Sequence, residues 1–535
     1  MTSTAVTDMP ELDAIAPHSG PHERHLAAGS TAQQVTLVAG TLTSFVVITA
    51  LARTLSLSEF GAYGLLISLP TYVLFAQGSI ETVTVKAIAQ ARDEFDRDRA
   101  FTTALCLYAL YGTVAALLIV FGGTALLSVL AITPSLHDQA QLSLVALAVV
   151  NLIGWPIKTA LDSLRGRGRF VLAATAEALG YLTYGALLLV ALLLSAPLWT
   201  LVGLGGAIAL LIGLWAVAAL LFARLPTRLR LSTLSLHYVR SFASTSLVLL
   251  IFGASDLVIY SFDRTILGLY RPVAAVGLYE GPIRAHNLLR GLQGALAFTV
   301  VTAAAGYAAT GDQPRLRELL LRGTRYVAIV MMPFTIVFMT LSRPILEVWL
   351  GPRFVPAAGA MTIFVSYWLL GGSGVGLSMM IACGRMKVIV IYSLTVAVCN
   401  LGLSLALAPS LGLDGIVIGT SLPYALMLPV FACLVCRVFS VSVIEYVREG
   451  FAVAFAAGAV LAGCELLGRA VLPLERPALL LTIIALGLVG YAFGVYRLGL
   501  KPRERLLVRT TLAGARRWLT SLPAEIAAVW PSRAA

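Results

Sequence analysis

Long apolar runs are the feature of this sequence that most constrains its fold. Hydrophobic residues make up 59% of the 535 positions and charged residues only 12%, and the mean hydropathy is +0.90. A helix needs about 20 consecutive apolar residues to cross a bilayer, where every backbone polar group must be satisfied within the protein. The sequence therefore predicts an all-α polytopic membrane protein.

The apolar runs predict fourteen transmembrane helices, of which the third and eighth are long enough to be tilted or to carry an interfacial turn. The predicted spans cover residues 32–52, 61–85, 101–131, 138–162, 170–195, 198–222, 241–262, 274–306, 324–345, 356–382, 386–408, 411–437, 450–471 and 477–497. Residues 1–31 lack the basic and apolar regions of a signal peptide, so we expect a disordered cytoplasmic tail there.

Basic residues concentrate in every second connection between the predicted spans. The connections after even-numbered spans carry most of the loop lysines and arginines, whereas three connections after odd-numbered spans carry none. By the positive-inside rule, this alternation places both termini in the cytoplasm. The net charge of +12 is then largely a topology signal, and nucleic-acid binding is not expected. The basic tail, residues 498–535, either lies on the anionic inner leaflet or stays solvated.

Matching sequence steps indicate an internal repeat of six helices. Gly61, in Phe-Gly-Ala-Tyr, opens the second span, and Gly277, in Val-Gly-Leu-Tyr, opens the eighth; Gly168 and Gly384 follow the fourth and tenth spans at the same separation. A unit of six helices preserves its orientation in the membrane, so two lobes should be related by a pseudo-twofold axis along the membrane normal. A central cavity and alternating access are the expected consequences.

The repeat and the loop charges together predict a domain organisation. It consists of the cytoplasmic tail 1–31, an N-lobe of six spans (32–222), a cytoplasmic linker (223–240), a C-lobe of six spans (241–437), two added helices (450–497) and the basic cytoplasmic tail 498–535.

Several stretches resemble the Wzx-type oligosaccharide and polysaccharide flippases of the MOP superfamily. They are LARTLSLSEFGAYGLLISL (51–69), DRTILGLYRPVAAVGLYE (263–280), GDQPRLRELLLRGTR (311–325) and ILEVWLGPRF (345–354). The resemblance covers residues 32–440. It implies that the protein moves a polyprenyl-(pyro)phosphate-linked oligosaccharide from the inner to the outer leaflet of the bacterial cytoplasmic membrane, for cell-surface polysaccharide biosynthesis.

Other functions stay open at this point. They are a cation-coupled small-molecule exporter of the MATE type, a peptidoglycan-precursor flippase, and a scaffold in a glycan assembly complex. MATE exporters usually carry an acid in their first span, and residues 32–52 have no charge. The sequence has no Walker motif, nucleophile elbow or metal-ligand cluster, so we expect neither catalysis nor a cofactor. Expected partners are the lipid-linked glycan, membrane lipids, and the glycan polymerase and glycosyltransferases of the same pathway.

Charged residues inside apolar spans are the candidates for the substrate path, because they are expensive in a membrane and mark function. The stretch VGLYEGPIRAHNLLRG (276–291) places Glu280, Arg284 and Asn287 on one helix face, with Arg290 nearby. Arginine binds phosphate oxygens through two parallel hydrogen bonds, so we predict substrate contact here. The alternative is that Glu280 and Arg284 merely neutralise each other as neighbours on the helix.

Further candidates lie elsewhere in the chain. Lys158 and Glu81 are added to the substrate path, although Lys158 could instead pair with Asp162 and Glu81 could be exposed at the interface. Asp256 is the candidate for ion coupling. The resemblance implies a gate or structural motif formed by Asp263, Arg264, Gly61, Tyr63, Gly277 and Tyr279.

Overall fold

The computed structural model describes residues 21–74, 77–225, 228–229, 254–255 and 257–499, and within these ranges the regular structure is helical throughout. The chain forms two compact units. The first contains the described residues of Met1–Thr54, Leu66–Val129 and Pro134–Gly253; the second contains those of Leu55–Leu65, Leu130–Thr133 and Ala254–Ala535.

The first unit is built from long apolar helices joined by short turns. Its elements are α1 (Pro21–Thr54), the C-terminal part of α2 (Leu57–Leu74), α3 (Gln77–Ala89), α4 (Glu94–Leu117, continued through a π-helical turn), α5 (Pro134–Gly166), α6 (Phe170–Leu193), α7 (Leu198–Gly206) and α8 (Ile208–Phe222). Helix α1 begins at Pro21, whereas the first predicted span begins at residue 32.

Small residues allow the helices of the first unit to approach closely. A Cβ added to Gly180 of α6 would lie 2.8 Å from the Cα of Ile212 in α8. Ile212, Leu161 and Ala173 belong to one buried apolar cluster that joins α5, α6 and α8. Membrane helices usually associate through close packing of small residues. The hydrophobic effect does not drive them together, because the surrounding lipid is as apolar as their side chains.

The second unit contains the remaining helices. They are α9 (residues 257–270), α10 (Val273–Ala309), α11 (Gln313–Thr340), α12 (Ser342–Trp349), α13 (Ala358–Ser366), α14 (Gly374–Ala382), α15 (Met386–Leu411), α16 (Leu413–Val438), α17 (Val443–Val471) and α18 (Pro477–Gly494). A 3₁₀ segment, Tyr367–Ser373, joins α13 to α14, and Leu370 within it has non-helical backbone angles.

Eleven helices of the described part are long and apolar enough to cross a membrane, and the bent pair α7 and α8 would make twelve. The two other predicted spans, 61–85 and 241–262, include residues outside the described ranges. The long eighth run is a single helix of 37 residues. Large apolar side chains are exposed around both units, for example Phe222 at 87% and Val398 at 69%, as lipid-facing surfaces require. The predicted all-α polytopic fold class is confirmed.

Candidate substrate path

Glu280 is the centre of a charged cluster in the second unit. It is 1% exposed and accepts hydrogen bonds from Nε of Arg264 at 2.5 Å and from Nη2 of Arg284 at 3.3 Å. A Cβ added to Gly64 would lie 2.5 Å from Oε1 of Glu280, so the carboxylate packs directly against α2. The expected pair of Glu280 and Arg284 is therefore present, but Arg264 on α9 is the nearer partner.

One carboxylate shared between two arginines leaves the guanidinium of Arg284 incompletely satisfied. The side chain of Arg284 is 29% exposed, and its buried Nε has no hydrogen-bond partner among the described residues. An arginine in this condition can bind a further anion without first breaking its existing pair. Such an anion would have to offer two neighbouring oxygens to the guanidinium, as phosphate and carboxylate do.

Asp263 lies beside this cluster in a separate hydrogen-bond chain. It is fully buried and accepts hydrogen bonds from the hydroxyls of Tyr279 at 2.7 Å and Thr420 at 3.1 Å. Asn400 in turn donates to Thr420 at 2.8 Å. These contacts join α9, α10, α15 and α16, so the Asp-Arg step at 263–264 connects two neighbouring networks of the second unit.

The repeat-related glycines Gly61 and Gly277 contact each other where α2 crosses α10. A Cβ on Gly61 would lie 2.0 Å from the carbonyl oxygen of Val273, and one on Gly277 would lie 2.4 Å from that of Leu57. No larger residue fits either position without moving backbone. Tyr63 and Tyr279, two residues farther along each helix, are both buried.

We expect Gly277→Ala to lower the free energy of unfolding by about 1 to 3 kcal/mol, because the added methyl group overpacks the crossing. The matched controls are Gly291→Ala and Gly294→Ala on the same helix, where nothing lies within 4 Å of an added Cβ. These should be neutral or slightly stabilising, since alanine favours helix over glycine. Thermal unfolding of the purified variants in detergent measures the difference, and equal effects at all three sites would refute the tight crossing.

His286 and Asn287 lie about two turns beyond Glu280 on α10, and Arg290 lies about three turns beyond it. The guanidinium of Arg290 stacks over the ring of Tyr260 at 4.1 Å. His286 is buried, stacks on Phe364 at 4.4 Å, and hydrogen-bonds the hydroxyl of Tyr367. Asn287 is exposed. The predicted polar stripe is thus flanked by an aromatic cluster that reaches the 3₁₀ segment after α13.

The first unit holds a second charged network, around Lys158 on α5. Its ammonium donates to Glu81 of α3 at 2.8 Å and lies 4.0 Å from Asp162. Arg165 also binds Glu81, and it binds Glu177 of α6 at 2.6 Å. Glu81 is therefore the nearer partner of Lys158, and Asp162 instead accepts a hydrogen bond from Tyr108 at 2.6 Å.

We expect Lys158→Met to cost about 3 kcal/mol of unfolding free energy, because it leaves the carboxylates of Glu81, Asp162 and Glu177 with Arg165 as their one remaining cation in the network. The side chain of Lys158 is 8% exposed. Lys86→Met, at an exposed position of α3, is the control and should change stability by less than about 0.5 kcal/mol. The measurement is denaturation of both variants in the same detergent; equal stabilities would show that the network contributes nothing.

Sequence reasoning missed several members of these clusters, and one predicted residue cannot be placed. Asp256 lies outside the described residues. Arg165 lies after the fourth predicted span (138–162), but the structure places it in the last turn of α5, inside the network with Glu177 of α6. The aromatic residues that contact His286 could not be predicted from the sequence, because tyrosines are common in apolar helices.

The two-lobe fold is that of solved membrane transporters. A multidrug resistance MATE family transporter of the MOP superfamily, in an inward-facing conformation, matches with a TM-score of 0.66 at 16% identity, over 75% of this chain and 94% of that chain. The lipid II flippase MurJ, in an inward closed conformation, matches with a TM-score of 0.66 at 13% identity, over 86% of this chain and 97% of that chain.

The apolar helices define a multi-pass membrane protein, and these likenesses show that it has the fold of a solved transporter and a solved flippase. The chain belongs to the family of polysaccharide biosynthesis proteins, whose sequence pattern matches residues 50–359. Among curated proteins, none matches the sequence closely. The predicted resemblance to polysaccharide biosynthesis proteins is therefore confirmed at the level of the family, and the fold is shared with a transporter of the MOP superfamily.

Proposed function

We propose that this protein flips a polyprenyl-(pyro)phosphate-linked oligosaccharide from the inner to the outer leaflet of the bacterial cytoplasmic membrane, by alternating access, for cell-surface polysaccharide biosynthesis. Family membership supports the pathway, and the fold shared with a flippase and an exporter supports the mode of action. The basic connections after even-numbered spans support cytoplasmic termini.

The observation that carries the substrate class is the incompletely satisfied Arg284 beside Glu280. The polyprenyl tail can stay in lipid during translocation, but the sugars and phosphates need hydrogen-bonding partners while they cross the membrane. Asp263, Arg264, Glu280, Arg284 and Arg290 together carry one net positive charge. A cluster of this sign would favour an anionic group over a cationic drug.

Loss of the protein tests this function in cells. We expect deletion of its gene to accumulate the lipid-linked glycan in the inner leaflet and to remove the glycan from the cell surface. Re-expression of the full chain should restore both. Normal surface glycan in the deleted strain would contradict the proposal once a second flippase has been excluded by deleting it too.

A substrate panel separates this function from the alternatives. Vesicles containing the purified protein would be given a lipid-linked oligosaccharide, lipid II and a cationic dye. We expect translocation of the lipid-linked oligosaccharide alone. Movement of lipid II alone would assign the protein to peptidoglycan synthesis, and uptake of the dye alone would assign it to drug export.

A further inference from the structure

A groove of about 460 Å³ lies between the C-terminal half of α10 and the N-terminal half of α11. Its walls are mainly apolar at one end, where Leu296, Val300 and Val330 line it beside Tyr326. Its other end carries Tyr307 on α10 and Arg315 on α11, and Glu318 and Arg322 of α11 line it between the two ends. Cavities of about 300 to 1,000 Å³ are typical of small-molecule sites. The groove is therefore both large enough for a ligand and polarised along its length.

The length of the groove matches one leaflet of a membrane. From Leu296 to Tyr307 a helix rises about 16 Å, at about 1.5 Å per residue. Half of the hydrocarbon core of a bilayer is about 15 Å thick. The charged end coincides with the connector between α10 and α11, which the loop charges predict to be cytoplasmic. The apolar end consequently points toward the centre of the membrane.

The charges at the rim favour an anion. Between Asp312 and Arg325 the chain carries four arginines and two acids. Arg322 pairs with Glu318 at 2.6 Å and Arg315 with Asp312 at 3.2 Å, and all four side chains are at least 31% exposed. Exposed pairs of this kind contribute about 1 kcal/mol or less. Both guanidiniums can therefore exchange a carboxylate for a phosphate at little cost.

Tyr307 marks the charged end of the groove as a membrane boundary. Arg315 stacks over the ring of Tyr307 at 5.6 Å. Tyrosine is enriched at the depth of the lipid headgroups, and basic pockets between membrane helices on the cytoplasmic side bind anionic headgroups.

We propose that this groove binds an anionic phospholipid of the inner leaflet, with its phosphate between Arg315 and Arg322 and one acyl chain along Leu296, Val300 and Val330. A polyprenyl carrier is disfavoured because its chain is far longer than a groove of one leaflet. The bound lipid would fix the spacing of α10 and α11. Since α10 also carries Glu280 and Arg284, the lipid would stabilise the helix that holds the candidate substrate residues.

Lipid-dependent thermal stability of the purified full-length protein tests the proposal. Phosphatidylglycerol should raise the melting temperature by several degrees relative to phosphatidylcholine, and Arg315→Gln with Arg322→Gln should remove most of that shift. Arg317→Gln is the matched control on the same helix, because Arg317 binds Glu445 at 2.6 Å and does not line the groove. It should keep the full shift.

A second variant addresses the apolar end. Val330→Trp would fill the groove at a position that is already 38% exposed, so it should fold and should also lose most of the shift. Equal stabilisation by both lipids, or an undiminished shift in the arginine variant, would overturn the proposal. So would stabilisation by inorganic phosphate alone, or by undecaprenyl phosphate without phosphatidylglycerol, which would assign the groove to a free anion or to the carrier. The readout needs no transport and is independent of the proposed function.

Discussion

Replacing Arg284 and Arg290 with alanine should abolish glycan export while the protein stays folded. A hydrogen bond to a charged group contributes about 1.5 to 3 kcal/mol, which corresponds to roughly tenfold to a hundredfold in rate for each arginine. Loss of both should therefore reduce export to background. Surface glycan per cell, corrected for the amount of protein in the membrane, is the measurement.

Folding should survive these substitutions because both arginines are replaceable as structural partners. Without Arg284, Glu280 keeps its shorter hydrogen bond to Arg264. Without Arg290, Tyr260 loses a cation–π contact of about 1 kcal/mol. Arg343→Ala, at an exposed position of α12 in the same unit, is the control and should export normally. Wild-type export by the variant lacking both arginines would exclude them from the path.

Arg284→Lys sharpens the same prediction. Lysine keeps the positive charge but loses the planar fork that matches phosphate oxygens. We expect export between that of the wild type and that of Arg284→Ala. Full activity of Arg284→Lys would indicate that charge alone is needed, and activity as low as that of alanine would indicate that the bidentate geometry is essential.

A disulfide between residues 131 and 273 should stop transport completely and reversibly. The amide of Ala131 donates to the carbonyl of Gly268, and the amide of Val273 donates to the carbonyl of Ala131. The direct backbone hydrogen bond from Val273 to Ala131 keeps their Cα atoms within roughly 6 Å of each other, inside the range of about 4.4 to 6.8 Å that a disulfide spans. The segment Leu130–Thr133 packs within the second unit although it follows α4.

The predicted topology places this contact on the outer side of the membrane, and we expect it to close that side of the path. Alternating access then requires the contact to open. The double variant Ala131→Cys with Val273→Cys would be made after replacing the six native cysteines. Oxidation should remove export, and reduction should restore it within the same cells. Each single cysteine variant is the control and should be insensitive to oxidant. Continued export by the fully cross-linked protein would mean that this contact is not a gate.

The parts of the fold that depend on local composition could be predicted from the sequence. Runs of about 20 apolar residues indicate helices across a membrane whatever their neighbours are. The pair of Glu280 and Arg284 follows from helix geometry, because residues four apart lie on one face. The structure places both as expected.

Contacts between distant segments could not be predicted in the same way. Arg264 is the nearer partner of Glu280 because α9 and α10 pack together, and nothing in the spacing of 264 and 280 indicates this. Gly61 and Gly277 were recognised as equivalent positions of a repeat, but their contact with each other depends on the packing of α2 on α10. The predicted fourth span stops at residue 162, short of Arg165, because the end of a helix and the start of a loop carry the same residue types.

The most direct test of the proposed function is translocation by the purified protein in vesicles that contain a polyprenyl-pyrophosphate-linked oligosaccharide. The fraction of glycan reached by an impermeant glycosidase would be followed over time. We predict that the protein exposes glycan from the opposite leaflet, and that the variant lacking Arg284 and Arg290 leaves it as protected as in protein-free vesicles. Identical time courses with the wild-type protein and without any protein would contradict the account.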